Sequence, residues 1–99
     1  VLKRFKNFKN YLLKNSSLIT FPFTLDMDKY TYGCINNTSY SYDLQSVAYH
    51  TGNLQGGHYY SAAKFNDKWR IFNDQTTGKI ADLNQIVNPN AYILFYKRM

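Results

Sequence analysis

Tyr42 to Phe72 reads YDLQSVAYHTGNLQGGHYYSAAKFNDKWRIF, and the spacing of bulk and glycine within it decides the fold. Leu44, Val47 and Tyr49 recur among polar partners over Tyr42–Tyr49, the pattern of a half-buried strand. Thr51–Gly57 holds three glycines in seven residues, which frees the backbone for positive φ and marks a loop. His58–Phe65 is a second aromatic and β-branched run, and Trp69–Phe72 a third. Asn66-Asp67 between these two signals a tight hairpin. Three strands joined by short turns make an antiparallel sheet.

Working outward, Ala91–Tyr96 is apolar throughout, which predicts a central strand buried on both faces. Asp82–Val87 has the form of a short helix capped by Asp82 and ended before Pro89. Upstream, Val1–Lys14 places five basic residues and no acid among Leu2, Phe5, Phe8 and Tyr11; the apolar spacing of three is compatible with a helix, but Leu2 to Phe5 also suits a short strand, the reading favoured here. Leu18–Phe21 is an apolar run stopped by Pro22, and Phe23–Leu25 continues the extended chain. Asp26–Ser41 is polar, contains Gly33 and Asn36-Asn37, and reads as a loop or insertion. The fold class expected is α+β, predominantly antiparallel β, in one small domain.

Composition narrows the function classes. Among 99 residues, aromatics reach 18% and charged residues 18%, which argues against disorder. Mean hydropathy is −0.49, and no run of apolar residues is long enough to span a membrane as a helix. Cys34 is the only cysteine, so neither an internal disulfide nor a thiolate-rich metal site can form, and a reducing compartment is expected. Neither a metal nor any other cofactor is called for. Lys and Arg number 12 against six acids, all of them Asp. The basic N-terminal stretch with interleaved rings has the ingredients of a nucleic-acid surface, yet no nucleic-acid-binding signature accompanies it, and a solvated face explains it more simply. The first residue is Val, and the chain reads as a piece cut from a longer one.

The residues with the most chemistry are Gly56-Gly57-His58-Tyr59 and Asn73-Asp74. A histidine that opens a strand directly after a glycine loop is accessible and held from one side, and imidazole titrates near neutrality, which suits a general base. A hairpin turning at Asn66–Lys68 returns Asn73 and Asp74 beside His58. Either could then take a hydrogen bond from one ring nitrogen and leave the other free. Against this, a lone histidine after glycines is often structural, and Asn-Asp at a strand end is a common turn former. His50, at a strand end before the loop, reads as structural or loop-supporting. Cys34 has no base or helix start near it in sequence that would activate its thiol.

In chain order these blocks resemble the C-terminal part of the ubiquitin-specific protease catalytic domain, a papain-like cysteine protease family. Val1–Phe5 is similar to its "LKRF" strand, Ile19–Asp26 to "FP…LD", and Tyr42–His50 to "Y-x-L-x-A-V-x-x-H". Gly56–Tyr59 is similar to the histidine box, Trp69–Asp74 to "W-x-x-F-[ND]-D", and Ala91–Arg98 to "AYxLFYxR". The resemblance implies a palm-like half of the protease fold, with His58 as general base, Asn73 as the third triad member and Asp74 as a neighbouring acid. It implies that Gly56, Gly57 and Tyr59 line the channel for a Gly-Gly tail, and that the partner is ubiquitin or a ubiquitin-like protein. The family's "N-x-G-N-T-C" nucleophile block is absent from the sequence, and Cys34 does not stand in that context. The missing N-terminal part of the same catalytic domain is therefore an expected partner, this piece alone is expected to be inactive, and an uncovered face is expected to drive self-association. A non-catalytic ubiquitin-binding or scaffold module is the alternative. Location in cytoplasm or nucleus is expected.

Overall fold

The computed structural model describes residues 1–8, 11–28, 40–53, 56–74, 76–79 and 83–99. Eight strands alternate along it: β1 (Phe5–Phe8), β2 (Tyr11–Lys14), β3 (Thr24–Asp26), β4 (Ser41–Thr51), β5 (His58–Phe65), β6 (Lys68–Asn73), β7 (Thr76–Lys79) and β8 (Ala91–Arg98). β1 and β2 form a separate two-stranded hairpin; the other six make one antiparallel sheet in the order β3-β4-β5-β6-β7, with β8 on β4.

The eleven-residue β4 is the central strand. β8 runs along one side of it from Tyr42 to Tyr49, while β3 and β5 divide the other, pairing with its first three and last six residues. β8, expected at the centre, pairs within the sheet only with β4 among the described residues, and Phe95 on it is 52% exposed. An apolar run marks burial potential and not position, and Leu2, whose N–H donates to Tyr92 O at 2.8 Å, lies beside the outer margin of β8 instead of another full strand.

Strand alternation divides the sheet into two unlike faces. Val47, Ala62 and Ile71 stand opposite one another on adjacent strands, and with Leu44, Tyr49, Trp69 and Ala91 they build the core. The chain before β3 lays Phe21 and Phe23 over this face, and Phe23 meets Trp69 edge-on at 6.1 Å. Ile86 seals it from the other end. The opposite face presents Ser46, Ala48, Ser61 and Ala63 in its middle, with Phe95, Phe65 and Phe72 flanking.

The expected helix is reduced to a 3-10 turn at Leu83–Gln85, closed by Ile86 N–H donating to Leu83 O at 3.0 Å; Asp82 lies outside the described residues. With Pro89 three residues beyond Ile86 and only Ile86 buried, the segment has neither the length nor the apolar stripe for a full α-turn repeat. Asn66 and Asp67 both take positive φ (49° and 63°), as a two-residue turn of type I′ requires. Asp28 accepts the Tyr40 N–H at 2.7 Å, closing the neck of the loop read over Asp26–Ser41, whose residues 29–39, Cys34 included, are not among those described. β7 was hidden in the sequence because Thr76-Thr77-Gly78-Lys79 lacks apolar bulk.

Tyr49 is 1% exposed, stacks on Tyr60 at 4.7 Å and donates its hydroxyl to Ile86 O at 2.6 Å, tying the centre of the sheet to the segment after β7. Burial, then the neighbouring Tyr60, pushes its phenol up beyond the ordinary range. Tyr49→Phe leaves the Ile86 carbonyl without its partner and is expected to cost about 1–2 kcal/mol. Leu44→Ala is expected to cost about 2–5 kcal/mol through the cavity it opens. Urea unfolding of the chain measures both.

Candidate functional site

The site lies at the rim where β5 begins and β6 ends. The β5–β6 register pairs Ser61 with Phe72, so residues 58 and 73 fall on the same face, one diagonal step apart. His58 Nε2 and Asn73 Oδ1 are 2.6 Å apart. An amide oxygen can only accept, so Nε2 carries the hydrogen and Nδ1 is left as the lone-pair nitrogen. The pair is exposed at the surface.

Asp74 follows at a positive φ of 54°, in the two-residue connection that lets Asn73 pair with Thr76. Its carboxylate reaches within 4.0 Å of His58 Nε2, but its side chain is 79% exposed. At that exposure water screens the attraction, so the direct contact to Asn73 governs the ring. The turn-forming and the ring-holding readings of Asn73-Asp74 thus both apply: Asp74 makes the turn that presents Asn73.

On the other side of the rim, the loop from Gly52 to Gly57 folds back on itself. Gly52 has φ +85°, and a side chain there would sit 3.0 Å from Gly56 O. Asn53 Oδ1 accepts the Gly56 N–H at 2.9 Å. A methyl on Gly57 would lie 1.9 Å from His50 Nε2 and 2.7 Å from Asn53 O, so position 57 must be glycine in this arrangement. Gly56 has more room, with its nearest neighbour at 3.8 Å. Leu54 and Gln55 are not among the described residues.

Tyr59 points to the opposite face from His58, as alternation requires. It is 58% exposed, lies tilted against His50 at 4.7 Å and stacks with Tyr92 at 6.4 Å. Beneath it, His50 is 2% exposed. Lys14 Nζ donates to His50 Nδ1 and to His50 O, both at 3.0 Å. Burial, then the Lys14 charge, hold His50 below the ordinary imidazole range. Burial and then Arg4 lower Lys14 in turn. Arg4, 3% exposed, is held by three carbonyls, those of Ala91, Asn15 and Ser17. Lys14 and Arg4 carried no signal in the sequence beyond positive charge, because Lys14 meets His50 36 residues away and Arg4 meets Ala91 87 residues away.

Among the described residues there is no group of three or more metal-ligating side chains. What remains at the rim is an imidazole held through one nitrogen, next to a loop that begins and ends in glycine. That equipment suits proton transfer to and from a group brought to the rim.

Comparison with known proteins agrees in sequence and in fold. The family model described as "Ubiquitin carboxyl-terminal hydrolase" matches residues 1–96, and the chain belongs to that family. It is 37% identical over 109 residues to human ubiquitin carboxyl-terminal hydrolase 19, covering 98% of this chain and 8% of that protein. It is 33% identical over 116 residues to ubiquitin carboxyl-terminal hydrolase 4 of Vanderwaltozyma polyspora, covering 99% of this chain and 13% of that protein. Among solved structures, the Ubp8/Sgf11/Sus1/Sgf73 SAGA DUB module bound to ubiquitin aldehyde superposes with a TM-score of 0.87 at 28% identity, over 98% of this chain and 23% of the other. The chain thus spans about a tenth of the curated relatives and under a quarter of the solved chain. The mostly antiparallel sheet is the fold of that catalytic domain.

Gly57→Ala is expected to destabilise the chain by about 1–3 kcal/mol, since the added methyl meets a packed ring and a carbonyl. Gly78→Ala, with nothing within 4 Å of the new methyl, is expected to stay within about 0.5 kcal/mol of the parent. Urea midpoints of the two variants measured side by side check the contrast.

Proposed function

We propose that this chain is the palm portion of a deubiquitinating thiol protease and that it supplies the general base, His58, and the residue that orients it, Asn73. The observation that carries this is the 2.6 Å contact between His58 Nε2 and Asn73 Oδ1 on a rim bordered by glycines, in a member of the ubiquitin carboxyl-terminal hydrolase family. A solved relative is described as bound to ubiquitin aldehyde, which supports ubiquitin as the substrate class.

In this reading a cysteine from the remainder of the polypeptide faces Nδ1 of His58. The lone pair there takes the thiol proton, and the thiolate attacks the carbonyl carbon of the terminal glycine of ubiquitin. His58 returns the proton to the departing amine as the C–N bond breaks. A water then gives its proton to Nδ1 and its oxygen to the acyl carbon, and the thiol is regenerated. Asn73, by holding Nε2–H, keeps the ring in the tautomer that leaves Nδ1 basic while adding no charge. Asp74, mostly in water, adds a weak field. The loop from Gly52 to Gly57 borders the channel for a tail without side chains, with Gly56, Gly57 and Tyr59 contributing to its wall.

The shape of the chain supports an additional body of protein. Its radius of gyration is 16.1 Å, against about 13 Å for a compact domain of this length, and its least extent is 18 Å. This slab exposes Phe65, Phe95, Leu18 and Leu83 by half or more. The rest of the catalytic domain is the proposed cover; self-association replaces it when the piece stands alone.

The test uses the full-length polypeptide and a fluorogenic ubiquitin conjugate. His58→Ala is expected to lower kcat/KM by at least about 100-fold and Asn73→Ala by about 10–100-fold. Asp74→Asn is expected to change it by less than about threefold. Ubiquitin binding retained by the parent and by His58→Ala alike, with no turnover in either, defines a non-catalytic binding module instead.

A further inference from the structure

His58 is fixed on one side by Asn73, but its backbone leaves the sheet immediately before it, at Gly57. What holds that point is not on the same face. The Gly57 backbone rests on the edge of the His50 ring, so closely that even a methyl would not fit between them. His50 cannot retreat: its N–H donates to Asn90 O at 2.8 Å, Phe5 and Tyr92 stand edge-on at 5.7 and 6.2 Å, and Tyr59 covers its face. Lys14 then grips the same residue at two atoms, ring nitrogen and backbone carbonyl.

We infer that His50, clamped by Lys14, is a positioning residue: it is the floor on which Gly57 rests, and through Gly57 it sets where His58 stands. The inference rests on the general-base reading of His58.

The clamp carries its own pH dependence. An ammonium can only donate, so Nδ1 of His50 must be unprotonated while Lys14 binds it. Protonation of His50 puts a second donor at that nitrogen, and Lys14 must leave. The ionisable groups against the ring are Lys14 from β2, with Arg4 behind it, Tyr59 from β5 and Tyr92 from β8; burial and then the Lys14 charge oppose a charge on His50. The folded ring therefore binds its proton less readily than the unfolded one. The clamp's stabilisation is complete above about pH 6.5 and is lost as pH falls from there through the lowered folded value.

Lys14→Met removes the grip without touching the rim, and His50→Gln removes the titrating floor. The pH dependence of kcat and KM is measured on the full-length enzyme with a fluorogenic ubiquitin conjugate, and the His50 ring is titrated by NMR in the 99-residue chain. With Lys14→Met, the His50 titration is expected to move up toward the ordinary range, and the acid limb of kcat/KM to move up with it. With His50→Gln, kcat is expected to fall about tenfold while KM changes far less, as suits a displaced base and not a lost binding contact. An acid limb that stays in place while the ring titration moves overturns the positioning role, as does wild-type kcat in His50→Gln. Full turnover in His58→Ala overturns the general-base reading itself; the NMR titration reports on the Lys14 clamp in either case.

Discussion

Hydrogen bonding along both sides of β4 is the constraint on which the rest depends. An eleven-residue strand satisfied on one side by β8 and on the other by β3 and β5 in turn has no freedom to slip. A one-residue shift would carry Val47 and Tyr49 out of the core and His50 into it. Two register shifts, between Leu44 and Ser46 and between Ala48 and Tyr49, are absorbed against β8 and not against β5. The β4–β5–β6 register that determines the rim is thus the regular part of the sheet. Asp43, held by the Gln45 amide at 2.9 Å and by Lys64 across the sheet, ties down the first bulge.

From that register the rim follows. β5 and β6 are joined by the shortest hairpin turn available, so their far ends have no choice but to meet, and Asp74 reverses the chain where β6 stops. The loop at the other end of β5 is fixed from below. Two histidines eight residues apart therefore stand on opposite faces of one sheet: His58 is exposed at the rim, and His50 is buried beneath Tyr59.

The positive charge of the N-terminal segment has a use that composition did not suggest. Arg4 binds three main-chain carbonyls and Lys14 a fourth together with an imidazole, so these two cations cross-link the β1–β2 hairpin to β8 and β4. Charge that reads as a solvated face is, at these two positions, turned inward against carbonyl dipoles. Lys3 and Lys6, by contrast, stay in water.

The strands β4, β5 and β6, the hairpin turn at Asn66-Asp67 and the glycine loop could be read directly from the sequence, because alternation of bulk and turn chemistry are local properties that neighbouring residues settle among themselves. The proximity of His58 to Asn73 was within reach for the same reason: a tight hairpin converts a separation of fifteen residues into a diagonal pair. Tertiary structure alone decided the rest. That β4 and not β8 is central depends on which strands find its two sides, and no local pattern records that. β7 has no apolar bulk and exists because β6 offers it a free edge. Leu83–Gln85 stays a single 3-10 turn because only Ile86 finds a place in the core. The grip of Lys14 on His50, and of His50 on Gly57, joins three elements through contacts that form only after the sheet has closed, since burial and long-range approach are created by folding and are not carried by any one segment.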